Sequence, residues 1–229
     1  MFNGNNLISE ALGLENYKVD IHSHILPEFD DGSRSIGESI YLAKEIKENG
    51  TDAVIWTPHF SHPKYPEIGR KSILAHFNRY KELIEKETGL RLFCGGEMYF
   101  NPEVEKNLIT LGETNYVLME FDFNTYPLYL KDKIYDLQLE GYEIIFAHVE
   151  RYNWLVDEKK GIFRTKYDFS LVEYLKSRNI FFQVNFSTLR KLNNYKAIKH
   201  MLKENMIEFV GSDKHRKNDG RNVICWSDF

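Results

Sequence analysis

Histidine, aspartate and glutamate recur along this chain at the ends of short apolar runs: His22 and His24 in DIHSH, His59 in WTPHFSH, Glu97 in CGGEMY, Glu120 in LMEF, His148 in FAHVERY, and Asp213 with His215 in GSDKH. Mixed imidazole and carboxylate groups without thiolate suit divalent Mn, Fe, Zn or Co better than Ca or Cu(I). In an extended segment residues i and i+2 project to one side, so His22 and His24 can grip one ion together. The stretch EFDDGSRS adds Asp30 and Asp31. One of the two is expected to form an Asp-Gly turn or a helix cap, the other to be a ligand; Asp31 is carried in the ligand set. One ion takes four to six ligands, so nine candidates imply two or three ions, with a carboxylate such as Glu97 bridging a pair. A lone histidine after a strand is more often a hydrogen-bonded structural residue, which is the reading for His62, His76 and His200.

Such a site implies a reaction. Three divalent ions facing Asp31, Glu97, Glu120 and Asp213 would leave a net charge of about +2, favourable to a dianionic phosphate monoester. In clustered-metal hydrolases the ions lower the pKa of a bound water to about 7, orient the phosphoryl group and neutralise the leaving oxygen. Arg151 lies three residues after His148 and Arg221 six after His215. Their guanidinium forks can bind phosphate oxygens in a bidentate way, against the plain alternative of surface ion pairs with Glu150 and Asp219. Phe60, Tyr65, Phe121, Phe123 and Tyr126 fall in the same loops, either as walls for a ring-bearing substrate or as ordinary packing.

Residues so far apart in sequence meet only if the fold brings strand ends together. Seven β-rich runs stand at 17–21, 52–57, 90–94, 116–121, 143–147, 180–184 and 207–211. Most are continuous apolar runs, the pattern of strands buried on both faces of a parallel sheet. The segment after the first run places Ile36, Ile40, Ala43 and Ile46 on one helical face, with Ser33 or Ser35 as N-cap and Gly50 at the end. A second helix carries Ile73, Phe77, Tyr80 and Ile84 and stops at Gly89. Weaker helices are expected near 129–140, 169–178 and 195–205. Repeated βα units of this kind make an α/β, barrel-like domain whose C-terminal strand ends share one rim.

Composition narrows the class. With 42% hydrophobic and 28% charged residues, the chain of 229 residues is too apolar for disorder and too charged for a membrane bundle. A net charge of −4 and the lack of a long basic run argue against nucleic acid as a partner. Only Cys94 and Cys225 are present, which is not a disulfide framework, and MFNGNNLISEALGLENY lacks the basic and apolar regions of a leader. No run approaches the roughly 18 apolar residues of a spanning helix. A cytoplasmic protein without membrane insertion is expected.

Taken together, VDIHSHILPEFDDGSRS, IWTPH, GGEMYF, LMEF, AHVERY, QVN and SDKH followed by Arg221 resemble the polymerase and histidinol phosphatase (PHP) superfamily, in particular its bacterial capsule-associated branch of manganese-dependent protein-tyrosine phosphatases. The likeness runs from about Tyr17 to Arg221, and DIHSHILP with DDGS and AHVERY is specific to that branch. It implies a single PHP phosphatase domain over 1–229, built as a distorted seven-stranded (βα) TIM-like barrel with a trinuclear manganese site. It also implies removal of phosphate from tyrosine of a bacterial kinase that regulates capsular or exopolysaccharide synthesis. His22, His24, Asp31, His59, Glu97, Glu120, His148, Asp213 and His215 match the family's metal ligands, and Arg151 and Arg221 its phosphate-binding arginines. In one departure, only NVICWSDF follows Arg221, where members usually continue through one or more helices. Three alternatives stand beside this reading: a histidinol-phosphate phosphatase, which leads them; an amidohydrolase, disfavoured because Glu120 stands where a lysine is usual; and a non-catalytic metal-binding module. The partner kinase and any oligomer stay open.

Overall fold

The computed structural model describes residues 2–101, 108–160 and 165–229. All seven expected runs form strands, and every ladder among them is parallel. Strand β1 (Val19–Ser23) lies beside β2 (Ala53–Trp56), which pairs in turn with a later strand. Pro58 has no N–H to give a ladder, and the second run breaks there, resuming as β3 (His59–Phe60). The third run forms β4 (Arg91–Cys94), and past Gly95 and Gly96 the chain resumes as β5 (Glu97–Tyr99). After these come β6 (Tyr116–Glu120), β7 (Glu143–Phe146), an antiparallel hairpin of β8 (Asp157–Lys160) and β9 (Thr165–Asp168), then β10 (Phe181–Asn185) and β11 (Phe209–Gly211). The ladders run β1-β2-β4 and β11-β10-β7-β6-β5-β3, giving a mixed α/β fold with a curled parallel sheet. The helices are α1 (Asn3–Ala11), α2 (Ile36–Glu48), α3 (Arg70–Thr88), α4 (Leu130–Leu139), α5 (Ser170–Ser177), α6 (Phe186–Leu189) and α7 (Lys196–Lys203).

The two strong helices form for the reasons the spacing suggests. Ser35, of the two serines considered, is the N-cap of α2, accepting from the Glu38 N–H, and the helix buries Leu42, Ala43 and Ile46 against the sheet. Helix α3 buries Ile73, Phe77 and Ile84 and ends on the left-handed Gly89. Helix α1 and the β8–β9 hairpin were not anticipated; the face that α1 buries, Gly4, Asn5, Ile8 and Ser9, holds only one large apolar residue, and β8 and β9 are mostly charged or polar.

Inside the curl, Ile8, Val19, Ile21, Ile55, Leu118, Ile145 and Phe209 fill a plug on the N-terminal side of the strands. Two residues further along, the same inward face of β6 carries Glu120 after Leu118, so on that strand the plug stops where a polar group begins. Strand β1 reaches the same end differently. Its register to β2 shifts between Asp20 and Ser23; across this shift Val19 and Ile21 face the plug, while His22 and His24 face the cluster.

Helix α1 ties the first and last strands together beneath the plug. The buried Asn5 donates to Val19 O at 2.8 Å and Val210 O at 2.9 Å and accepts from Val210 N at 3.0 Å. Gly4 permits the approach, because a Cβ there would sit 2.7 Å from the Phe209 ring. Losing the Asn5 carboxamide would strand three buried backbone groups, each worth about 1–3 kcal/mol when left unpaired. Asn5→Ala should therefore lower stability by about 2–4 kcal/mol in denaturant unfolding, without changing metal uptake by the folded protein.

Candidate metal centre

At the C-terminal strand ends the side chains converge on one carboxylate. Glu97 is buried to 1% exposure. Its Oε1 lies 3.3 Å from His22 Nε2 and 2.7 Å from His148 Nε2. Its Oε2 lies 3.3 Å from His24 Nε2 and 3.1 Å from His59 Nδ1. Four imidazoles, from β1 and the residue after it, from β3 and from the segment after β7, thus share a single carboxylate. Outward from it, Asp31 Oδ1 stands 3.3 Å from His59 Nε2 and 3.2 Å from His215 Nε2. Glu120 approaches His59 and His148, at 3.5 Å each. Asp213 Oδ1 faces His22 at 3.5 Å, His24 at 3.8 Å and His215 at 3.4 Å.

All nine residues singled out from the sequence are therefore brought together. Their donor atoms fall into overlapping groups able to hold a cation: His24, Asp31, His59 and His215; His22, Glu97 and His148; His22, His24 and Asp213; His59, His62 and Glu120. His22, His24 and His59 each belong to two groups, so neighbouring cation positions would share ligands. The donor chemistry also fits. Asp31 Oδ1, His59 Nδ1 and Glu120 Oε2 are buried and make no hydrogen bond, a state that protein interiors avoid unless an ion or water completes it.

Electrostatics point the same way. Burial alone would push the Glu97 and Asp213 carboxyls up, yet the positive charge of His22, joined at Asp213 by Arg151, holds both well below the usual range. Burial opposes protonation of His24, but the Asp30 carboxylate beside it raises the ring to about 9. His59 is raised as well, by Asp31, Glu120 and Glu97 against its burial. Protons on these rings balance the carboxylates; a divalent cation would supply the same charge in their place.

The geometry separates the two neighbouring aspartates. Asp30 Oδ2 sits 2.7 Å from His24 Nδ1 and its Oδ1 accepts from Gly32 N at 2.9 Å, so it makes the turn and orients the ring. Asp31 faces the cluster. His76 and His200 match their structural reading, the first bonded to Pro27 O at 2.7 Å and the second stacked on Phe169. His62 departs from it: its ring centroid is 4.8 Å from that of His59 and its Nε2 3.9 Å from Glu120. Its position three residues after His59, in the same loop, was the available signal.

Arg151 and Arg221 meet at Asp213 Oδ2, the second through Nε at 3.1 Å. Glu150 is not the partner of Arg151; it accepts instead from Asn185 N and Thr188 Oγ1. Asp219 does contact Arg221, at 3.6 Å, while also accepting from three backbone N–H groups. Both arginines line a pocket of about 340 Å³ with Phe121, Phe123, Lys64 and Tyr99, the last two unanticipated. Phe123 lies under the Arg151 guanidinium at 5.9 Å. Of the other aromatics considered, Tyr65 stacks on His59, Phe60 is in the core and Tyr126 packs on Trp154.

Residues 18–223 match the family described as capsular polysaccharide synthesis, CpsB/CapC. The chain belongs to that family. Among curated relatives, this CpsB/CapC chain is 33% identical over 205 residues to tyrosine-protein phosphatase YwqE of Bacillus subtilis, covering 86% of itself and 77% of the relative. To tyrosine-protein phosphatase CpsB of Streptococcus agalactiae serotype V it is 29% identical over 203 residues, covering 86% and 82%. A solved structure from work on YwqE of Bacillus subtilis and CpsB of Streptococcus pneumoniae, described there as metal-dependent tyrosine phosphatases, superposes with a TM-score of 0.72 at 30% identity, over 90% of this chain and 82% of that one.

Because the donor groups overlap and exceed the needs of one ion, the metal-replete CpsB/CapC chain should contain two or three transition ions and lose phosphatase activity in a chelator. Elemental analysis of the purified protein checks this; one ion or fewer per chain would contradict it.

Proposed function

We propose that this chain is a metal-dependent protein-tyrosine phosphatase that removes phosphate from a phosphotyrosine protein, a bacterial tyrosine kinase of capsular or exopolysaccharide synthesis being the partner. The observation that carries the reading is the shared Glu97 carboxylate beside two arginines on one aspartate: a polynuclear cation site opening into an anion-binding pocket. In this reading His22, His24, Asp31, His59, Glu97, Glu120, His148, Asp213 and His215 hold the ions, with manganese as the metal. Arg151 and Arg221 bind the phosphoryl group. The setting is the cytoplasm, in keeping with two unpaired cysteines. Among the described residues no helix is long and apolar enough to cross a membrane. The fold is read as a distorted seven-stranded TIM-like barrel forming one domain over 1–229. Bonds from His24 N to Lys214 O and from Asp213 N to His22 O, both 2.8 Å, support closure between β1 and the segment after β11.

Bound divalent ions would supply a water of lowered pKa and positive charge toward the phosphoryl oxygens. The protein does the rest. Arg151 and Arg221, each with a side chain 28% exposed, face the pocket and can share their N–H groups between Asp213 and an incoming phosphate. Phe123 and Tyr99 offer flat surfaces to a phenyl ring. The departing phenolate, of pKa about 10, needs little proton donation.

The histidinol phosphate reading is weaker at this pocket. A substrate carrying an ammonium and an imidazole needs negative charge opposite them. Asp122 lines the pocket, but its carboxylate accepts from the N–H groups of Asn124 and Thr125. Apart from the carboxylates assigned to the metal centre, the other charged residues lining the pocket, Lys64, Arg151 and Arg221, are cationic.

Two measurements follow. With manganese supplied, kcat/KM for phosphotyrosine peptides and aryl phosphates should far exceed that for histidinol phosphate or phosphoserine peptides; a preference for histidinol phosphate would reverse the choice. Arg151→Lys should lower kcat/KM by about 10-fold or more, because a point charge replaces a planar fork. An unchanged rate would return Arg151 to a structural ion pair.

A further inference from the structure

Strand β10 brings no ligand-type residue to the rim, yet it lies directly behind the cluster. Its Gln183 and Asn185, two apart on one face, form a buried amide chain. Gln183 Oε1 accepts from the backbone N–H of His148 at 2.8 Å and lies 3.2 Å from His22 Nδ1. Gln183 Nε2 donates to Asn185 Oδ1 at 2.9 Å, and Asn185 Nδ2 donates to Asp213 Oδ2 at 2.9 Å. The ends of this chain fix its polarity. A backbone N–H can only donate and an ionised carboxylate can only accept, so each amide between them has one admissible orientation. Oε1 must then also take the hydrogen on His22 Nδ1. The ring's Nε2 is left to face Glu97 at 3.3 Å and Asp213 at 3.5 Å.

The same two amides reach the two cluster residues with unusual backbones. His148 has φ 30° and Asp213 φ 51°, left-handed conformations uncommon for residues other than glycine. Gln183 binds the His148 N–H and Asn185 the Asp213 side chain. Room for the chain comes from Gly211 on the neighbouring strand, where a Cβ would lie 2.7 Å from His22 Cβ and 3.1 Å from Gln183 Nε2.

We propose that Gln183 and Asn185 are positioning residues of the metal centre: they set the tautomer of His22 and hold His148 and Asp213 in ligating orientation, without touching ion or substrate. The proposal rests on the metal-dependent reading above. An amide, unlike a carboxylate, does this without adding to the negative charge around Glu97.

The test uses the metal-free full chain and Mn2+ alone. Affinity is measured by competition with a chelator for the wild type, Gln183→Met, Gln183→Glu and Asn185→Leu, with thermal unfolding of each metal-free form recorded alongside. Gln183→Met and Asn185→Leu should bind Mn2+ about 10- to 100-fold more weakly. Gln183→Glu keeps an acceptor for His22 and His148 but cannot donate to Asn185, and should fall between them and the wild type. Affinities within about threefold of wild type in the folded variants, with or without a lower Tm, would overturn the proposal and leave the amides a packing role. If Gln183→Met does not fold, Asn185→Leu and Gln183→Glu decide by the same criterion. A wild-type chain that takes up no Mn2+ would overturn the metal-dependent function itself, and this inference with it.

Discussion

Four imidazoles around the nearly inaccessible carboxylate of Glu97 make the contact on which the rest of the structure depends. Ionisable groups at this density are stable only if positive charge is supplied at the centre, by protons or by cations. Meeting that condition explains local features that would otherwise look like defects. The ladder breaks at Pro58 and at Gly95–Gly96, so that His59 and Glu97 begin new short strands. The register of β1 shifts between Asp20 and Ser23, around His22, and His148 and Asp213 turn left-handed just beyond their strands. Each departure from regular geometry re-aims one side chain at a common point.

Asp213 joins the cation cluster to the anion pocket. One oxygen faces the imidazoles of His22, His24 and His215; the other takes Arg151, Arg221 and Asn185. The arginines are therefore aligned beside the cluster before any phosphate arrives, and little side-chain freedom has to be lost when it does. Phe123 under Arg151 flattens the same wall.

Much of this was legible in the sequence because the relevant signals are short-range. Seven apolar runs became seven parallel strand positions, and polar residues closing such runs reached one rim whatever the details between. H-x-H needed only the two-residue period of an extended chain. What stayed hidden depends on contacts distant in sequence. Helix α1 owes its place to an asparagine bonded to β1 and β11. Asp30 and Asp31 are alike by type, and only the approach of His24 to one and of His59 and His215 to the other separates them. His62 offers only its place three residues after His59 until Glu120 arrives from another strand. Gln183 and Asn185 stood in a quoted motif, QVN, but amides are not ligand types, and their roles emerge only from where each end of the amide chain terminates.

The Asn5 clamp has a consequence for how the chain is made. Its partner Val19 is only 14 residues away, but its partner Val210 lies 205 residues downstream, so during synthesis the clamp cannot close until the chain through β11 has been made. The first strand must meanwhile wait with one edge unpaired, the condition in which a nascent β-segment is most open to pairing with the wrong neighbour. Asp20, His22 and Ser23 make that waiting strand unusually polar for one destined for a core. His22, which later joins the metal cluster, thus also helps to keep this first strand wettable while it waits.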